Sequence, residues 1–214
     1  MTFANLYDQL MADIDYQLIF DFIRPFIINK KIVIDAGCGT GQFTKYLEKD
    51  HEVIGLDIDS EMLAIAQKKT EHTSYYIHDI NDPIPLKADA IISIFDVLNF
   101  NQHIQSILQS FYDALNIDGI CIFDIYKEEV LEAYDGYHEQ DVDPFLYQWD
   151  IQVEKHTIKH KLKAFDQTYY MNQYVHMLKD VFKYLDEVGF NYKVVDGPDE
   201  RKHYIIAHKK LIKK

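Results

Sequence analysis

Apolar positions recur along this chain with two periods, and the places where each period holds predict its elements. Phe3, Leu6, Tyr7, Leu10, Met11, Ile14 and Leu18 stand at the three- and four-residue spacing of a helix face. They predict one amphipathic helix, or two short ones, within residues 2–23, stopped by Pro25. Lys31 to Asp35 reads as a first strand ending in an acid, with a helix to about Lys49 behind it. Glu52 to Asp57 is a second strand, Ser60 and Glu61 open a helix to about Lys69, and Thr73 to His78 is a third strand followed by Asp79. Pro83 and Pro85 mark a loop. Asp89 to Phe95 is the most apolar run in the chain, as expected of a central strand buried on both faces. A helix follows from about His103, with Ile104, Ile107, Leu108, Phe111 and Leu115 on one stripe; Asn116 to Gly119 turns into a fifth strand, Ile120 to Ile125. Strands and helices alternating at this spacing predict a parallel, doubly wound α/β sheet.

Beyond residue 126 the pattern changes. Tyr147, Trp149, Ile151 and Val153, then Ile158, Leu162 and Phe165, alternate with polar residues and no helix intervenes, which predicts an antiparallel excursion over residues 145–175. Met177 to Val188 returns to helical spacing, with Gly189 as its C-cap. Phe190 to Val195 and His203 to His208 then read as a terminal hairpin turning at Pro198. A single domain over 1–214 is expected, with 126–175 as an inserted subdomain.

Composition narrows the function. The 48% apolar and 27% charged fractions are those of a globular protein. The formal charge of −13 argues against a nucleic-acid partner, whose phosphates need neutralising. That charge is uneven: residues 126–154 hold nine acids against one lysine, while 201–214 hold six bases and no acid. The basic stretch reads as a solvated strand end. Met1 to Asp15 carries three acids and no base, unlike a secretory leader, and no apolar run is long enough to span a bilayer. Two cysteines, Cys38 and Cys121, are too few for a disulfide framework, so a cytoplasmic setting is expected. No Cys/His cluster has zinc spacing, and no metal is expected.

The candidate chemistry centres on Asp35, Gly37, Gly39 and Gly41, at the carboxyl end of the first strand. A glycine-rich turn lets backbone amides approach a ligand closely, and the helix behind it aims its N-terminal N–H groups at the same place. A dinucleotide fingerprint would need glycine where Gln42 stands, and it leaves Asp35 facing a pyrophosphate. Asp57 and Asp79 end the next two strands; three acids on three successive strand ends make the signal specific.

This arrangement resembles the class I S-adenosylmethionine-dependent methyltransferases, whose first motif is similar to Asp35 through Gly41. The resemblance implies a Rossmann-like sheet of seven strands, mostly parallel with an antiparallel last strand, and an antiparallel β lid after the fifth strand. It implies S-adenosyl-L-methionine as cofactor, with its methionine part against Gly37 and Gly39 and its ammonium held by Asp35, directly or through water. By the same resemblance Asp57 takes the ribose hydroxyls, Ile58 faces the adenine, and Asp79 with the Ile80 backbone serves the adenine edge. Phe3, Ala4, Tyr7, Asp8, Leu10 and Met11, with Tyr16 beyond, are similar to the start of a bacterial group of small-molecule-type methyltransferases. Phe95, Asp96, Asn99 and Phe100 resemble that group's fourth-strand motif, and Tyr147 with Trp149 its aromatic strand. Tyr7, Tyr16 and Asp96 are thereby cofactor-site candidates. His103 and His138 are the general-base candidates. A small-molecule acceptor is the reading preferred here; a protein or tRNA acceptor, or a non-catalytic cofactor-binding module, stays open.

Overall fold

The computed structural model describes residues 2–209. The chain begins with α1 (Phe3–Leu10), α2 (Tyr16–Ile27), β1 (Ile32–Ala36), α3 (Thr44–Leu47), β2 (Glu52–Asp57), α4 (Ser60–Ala66) and β3 (Ser74–Ile77). Next come β4 (Ala88–Ser93), a 3-10 turn (Val97–Phe100), α5 (Gln105–Ala114), β5 (Leu115–Tyr126) and α6 (Val130–Tyr134). It closes with β6 (His138–Asp141), β7 (Tyr147–Glu154), β8 (Thr157–Ala164), β9 (Gln167–Tyr174), α7 (Leu178–Val188), β10 (Phe190–Val195) and β11 (Lys202–Lys209).

Seven strands form one sheet in the order β10-β11-β5-β4-β1-β2-β3. Its β5-β4-β1-β2-β3 part is parallel, while β11 runs antiparallel to both β5 and β10. Successive side chains of a strand point to opposite faces, so paired apolar residues feed two cores. Ile34, Ile91, Phe123 and Ile205 pack under α5 and α7. Their neighbours Val33, Ile92, Ile122 and Ile206 pack under α2 and Phe43. This is why the central strands read as continuous apolar runs.

The second sheet, β6-β7-β8-β9, is antiparallel throughout. On β8 the residues Ile158, His160, Leu162 and Ala164 are buried, and Lys159, Lys161 and Lys163 between them are exposed. Helix α1 sets Leu6 against Tyr147, Leu162 and Ala164 of this sheet. It is tied to the large sheet's loops by Asp8, whose carboxylate accepts from Thr40 Oγ1 (2.6 Å), Gln42 Nε2 (3.0 Å) and Lys69 Nζ.

The expected elements differ from the structure in specific places. Helix α2 runs through Pro25 to Ile27; the proline removes the donor to the Asp21 carbonyl, and the helix ends two residues later. Asp15 caps its start, accepting from the Leu18 amide at 2.9 Å. The helix behind the glycine turn is a single turn, α3. Strand β4 stops at Ser93, since Phe95 and Asp96 adopt left-handed backbone (φ 65° and 57°). Strand β5 absorbs the expected turn at Asn116 to Gly119, with Asp118 at φ 61° and a register shift against β4. Phe165 lies in an exposed turn between β8 and β9 rather than on the sheet's inner face. Among the described residues no helix is long and apolar enough to cross a membrane.

Candidate active site

β1 delivers the chain into the glycine turn, where Gly37, Gly39 and Gly41 all have positive φ (78°, 53° and 74°). The amides of Gly37 and Cys38 donate to the Leu56 carbonyl, fastening the turn to β2. At Gly37 a Cβ would lie 2.4 Å from Val97, whereas at Gly39 it would meet nothing within 4 Å. Gly37 is therefore required by packing as well as by backbone, while Gly39 keeps an open approach to its backbone. The Gly39 amide donates to Asp57 Oδ2 at 2.8 Å, and the Asp59 amide to Oδ1 at 2.9 Å.

In front of this turn lies a cavity of about 480 Å³, within the usual range of small-molecule sites. Gly37, Gly39, Asp57, Ile58, Asp79, Ile80, Tyr7 and Tyr16 all border it. Burial raises the Asp57 carboxyl, opposed by its amide donors. Asp79 is fixed by accepting from the Asn81 amide (2.9 Å) and side chain (2.8 Å). Ile58 is exposed, and the Tyr16 hydroxyl donates to the Met11 carbonyl at 3.1 Å. His78 also lines the wall, and its Nε2 is buried with no partner.

Three expected site residues stand elsewhere. Gly41 packs against Ala66 and Tyr75, outside the lining. Asp35 lies beneath the turn, 4% exposed, accepting from Thr44 Oγ1 at 2.6 Å. Burial lifts its carboxyl to about 7, with the Thr44 bond opposing. Asp96 faces a second cavity of about 470 Å³, which shares Tyr7, Ile14, Phe100 and Met171 with the first.

The second chamber is walled by α1, the small sheet and a buried polar network. Asp124 on β5 accepts from the amides of Phe95 (2.9 Å) and Asp96 (2.6 Å), which supports their two consecutive left-handed conformations. Lys202 on β11 donates to Asp96 (2.6 Å) and Asp124 (3.3 Å). Burial alone would depress the Lys202 ammonium, but these two carboxylates outweigh it and hold it charged. Gln173 donates to the other oxygen of Asp96 and accepts from His160 Nε2 at 2.8 Å; His160 Nδ1 accepts from Trp149 Nε1 at 3.2 Å. The two bonds fix His160 as the neutral Nε2–H tautomer, and burial pushes its pKa down.

Residues 33–119 match the family described as "Methyltransferase domain". YqeM of Bacillus subtilis (strain 168), a methyltransferase by name, is 28% identical over 159 residues; the match takes in 69% of this chain and 64% of that relative, a little under two thirds of its length. An S-adenosylmethionine-dependent methyltransferase from Clostridium acetobutylicum superposes with a TM-score of 0.83 at 23% identity, covering 98% of this chain and 97% of the other. The S-adenosylmethionine-bound amino pentose methyltransferase CalS10 of Micromonospora echinaspora does so with a TM-score of 0.80 at 14% identity, covering 98% of each chain. The likeness to these solved structures shows the class I methyltransferase fold, and residues 33–119 within it match a methyltransferase domain.

Neither histidine expected as a base borders either cavity. His103 is exposed, and His138 is exposed on β6, where its Nδ1 lies 2.7 Å from Asp150. Adjacency to an expected strand end brought them forward; their side chains face solvent. The residues that do border the second chamber, or brace it, include Asp124, Lys202, Gln173, His160, Glu139 and Arg201. One signal for them was present: Asp124 is an acid near the end of the buried apolar run Ile120–Ile125, where it needs a partner. Lys202, buried between Asp96 and Asp124, departs from the reading of 201–214 as solvated; Arg201 is exposed as expected, and residues 210–214 lie outside the described residues.

Proposed function

We propose that the protein moves the methyl group of S-adenosylmethionine to a small-molecule acceptor seated in the second chamber, with residues 126–175 as its lid. The observation that carries this is the junction of two cavities of small-molecule size at Tyr7, Ile14, Phe100 and Met171, under α1 and the small sheet. The first cavity suits the cofactor chemically. Asp57 offers a carboxylate to a ribose diol; Asp79, the Ile80 backbone and the unpartnered His78 Nε2 offer polar groups to an adenine, beside the apolar Ile58. The open backbone at Gly39 leaves room for the methionine part, and Asp35 beneath it contributes negative potential toward the ammonium.

When bound, the cofactor supplies a methyl on a positive sulfur, open to in-line attack by an acceptor lone pair. The protein's part is orientation and exclusion of water. Tyr7 borders both cavities and is half-buried, with its hydroxyl pushed well above the usual range by desolvation and by Asp96. It acts as a wall that aligns the two ligands. Holding two reactants in line contributes roughly 7–11 kcal/mol of barrier lowering. An amino pentose methyltransferase among the structural neighbours gives a precedent for a small acceptor in this architecture. The charge of −13 weighs against tRNA.

Transfer of tritiated methyl from S-adenosylmethionine tests this, with small amines, phenols, thiols and carboxylates run beside bulk tRNA and a cell-protein fraction. Labelling of a small-molecule class is expected. Labelling confined to tRNA or protein would contradict it.

A further inference from the structure

We propose that the acceptor is an amine, taken up as a cation, and that Glu139 and Asp96 are its anionic anchors; this rests on the methyl-transfer reading above. The second chamber combines aromatic walls with net negative charge. Tyr126, Tyr134, Tyr137, Tyr147 and Trp149 line it, and so do the carboxylates Asp13, Asp96 and Glu139. Its cations are already committed. Arg201 is held by both oxygens of Asp199 and donates to Tyr134 Oη at 2.8 Å; Lys202 is shared between Asp96 and Asp124. His160, also in the wall, is held neutral. Among the described residues, no cation in the wall is left unpaired to neutralise an anionic acceptor.

Glu139 carries the argument further. Its two oxygens accept one hydroxyl each, from Tyr137 (2.5 Å) and Tyr147. Both phenols thereby stay protonated; that of Tyr137 is pushed to about 12, first by this bond. The result is a carboxylate oriented within a ring of aromatic side chains, a combination suited to an ammonium through charge and cation–π attraction. Asp96 is similarly oriented by Lys202 and Gln173.

The reaction's own charge flow agrees. An alkylammonium gives up one proton to water to free its nitrogen lone pair. The C–N bond then forms as the C–S bond breaks, the electron pair staying on sulfur in neutral S-adenosylhomocysteine, and the positive charge passes to the methylated nitrogen. Charge moves from the cofactor cavity into the acidic chamber, where fixed carboxylates stabilise it as it develops. With a phenolate or carboxylate acceptor the chamber would instead repel the bound anion and weaken its uptake.

The test uses the full chain in two steps. S-adenosylhomocysteine is titrated calorimetrically, and then benzyltrimethylammonium, a cation that cannot be methylated, is titrated into that complex beside benzyl alcohol and benzoate. The cation is expected to bind at least tenfold more tightly than either. Glu139→Gln is expected to lose at least fivefold of that affinity while keeping S-adenosylhomocysteine binding, which shows an intact fold. Normal S-adenosylhomocysteine binding with no preference for the cation, or a preference unchanged in Glu139→Gln, overturns the amine assignment alone. Absence of S-adenosylhomocysteine binding overturns the cofactor reading and this inference with it.

Discussion

At the scale of single residues, Asp35 makes the most testable demand. Its carboxyl stands at about 7 in the folded protein, raised by burial, against about 3.9 in an unfolded chain. Well below pH 4, at about pH 3 and under, both states are protonated and the group is neutral to stability. As pH rises from 4 to 7 the unfolded chain ionises first, so native stability falls across that window and stays lowered above it. Asn can keep accepting from Thr44 without the charge. Asp35→Asn is therefore expected to match the wild type near pH 3 and to exceed it at pH 8 by on the order of 2–4 kcal/mol, read from denaturant melts at the two pH values. Equal stability at pH 8 would mean that the carboxylate has a counter-charge in solution. Residues such as Asp57 were legible because strand, acid and turn are adjacent in sequence. Lys202 was not, because its partners Asp96 and Asp124 lie 106 and 78 residues away. Only the pairing of β11 with β5 brings it to them.

At the scale of elements, the glycine turn and α1 divide the work. Gly37→Ala places a Cβ 2.4 Å from Val97 at a left-handed φ, which is expected to destabilise by about 2–4 kcal/mol. Gly39→Ala has the backbone penalty alone and is expected to cost about 1–2 kcal/mol of stability, and to lose cofactor affinity because its Cβ enters the open approach. Urea melts and cofactor titrations of the two variants separate these effects. Helix α1 is held to the glycine loop through Asp8, which burial would raise but which Lys69, Thr40 and Gln42 together bring below the ordinary carboxylate range. Asp8→Ala is expected to speed amide exchange in α1 at least tenfold while β1 and β4 stay protected. Helical and alternating periods disclosed most elements to within a few residues. The end of β4 escaped, since nothing local marks Phe95 and Asp96 as left-handed; the Asp124 carboxylate that holds them comes from another strand.

At the scale of the whole molecule, sheet order sets the site. The glycine turn, Asp57 and Asp79 follow β1, β2 and β3, so the parallel half of the sheet assembles the first cavity at the strands' carboxyl ends. This half is local in sequence and was largely legible. The second chamber draws on α1, β6–β9 and residue 201, and its composition depends on how an antiparallel insertion folds back. Alternation showed the insertion's strands without showing which face meets Asp96. Both chambers depend on one claim, that the first cavity takes S-adenosylmethionine through Asp57. Calorimetric titration of S-adenosylmethionine into the wild type and Asp57→Ala tests it most directly. One saturable site is expected in the wild type, weakened about tenfold to a hundredfold in Asp57→Ala by loss of a charged hydrogen-bond acceptor. No binding to the wild type, or undiminished affinity in Asp57→Ala, would contradict the account.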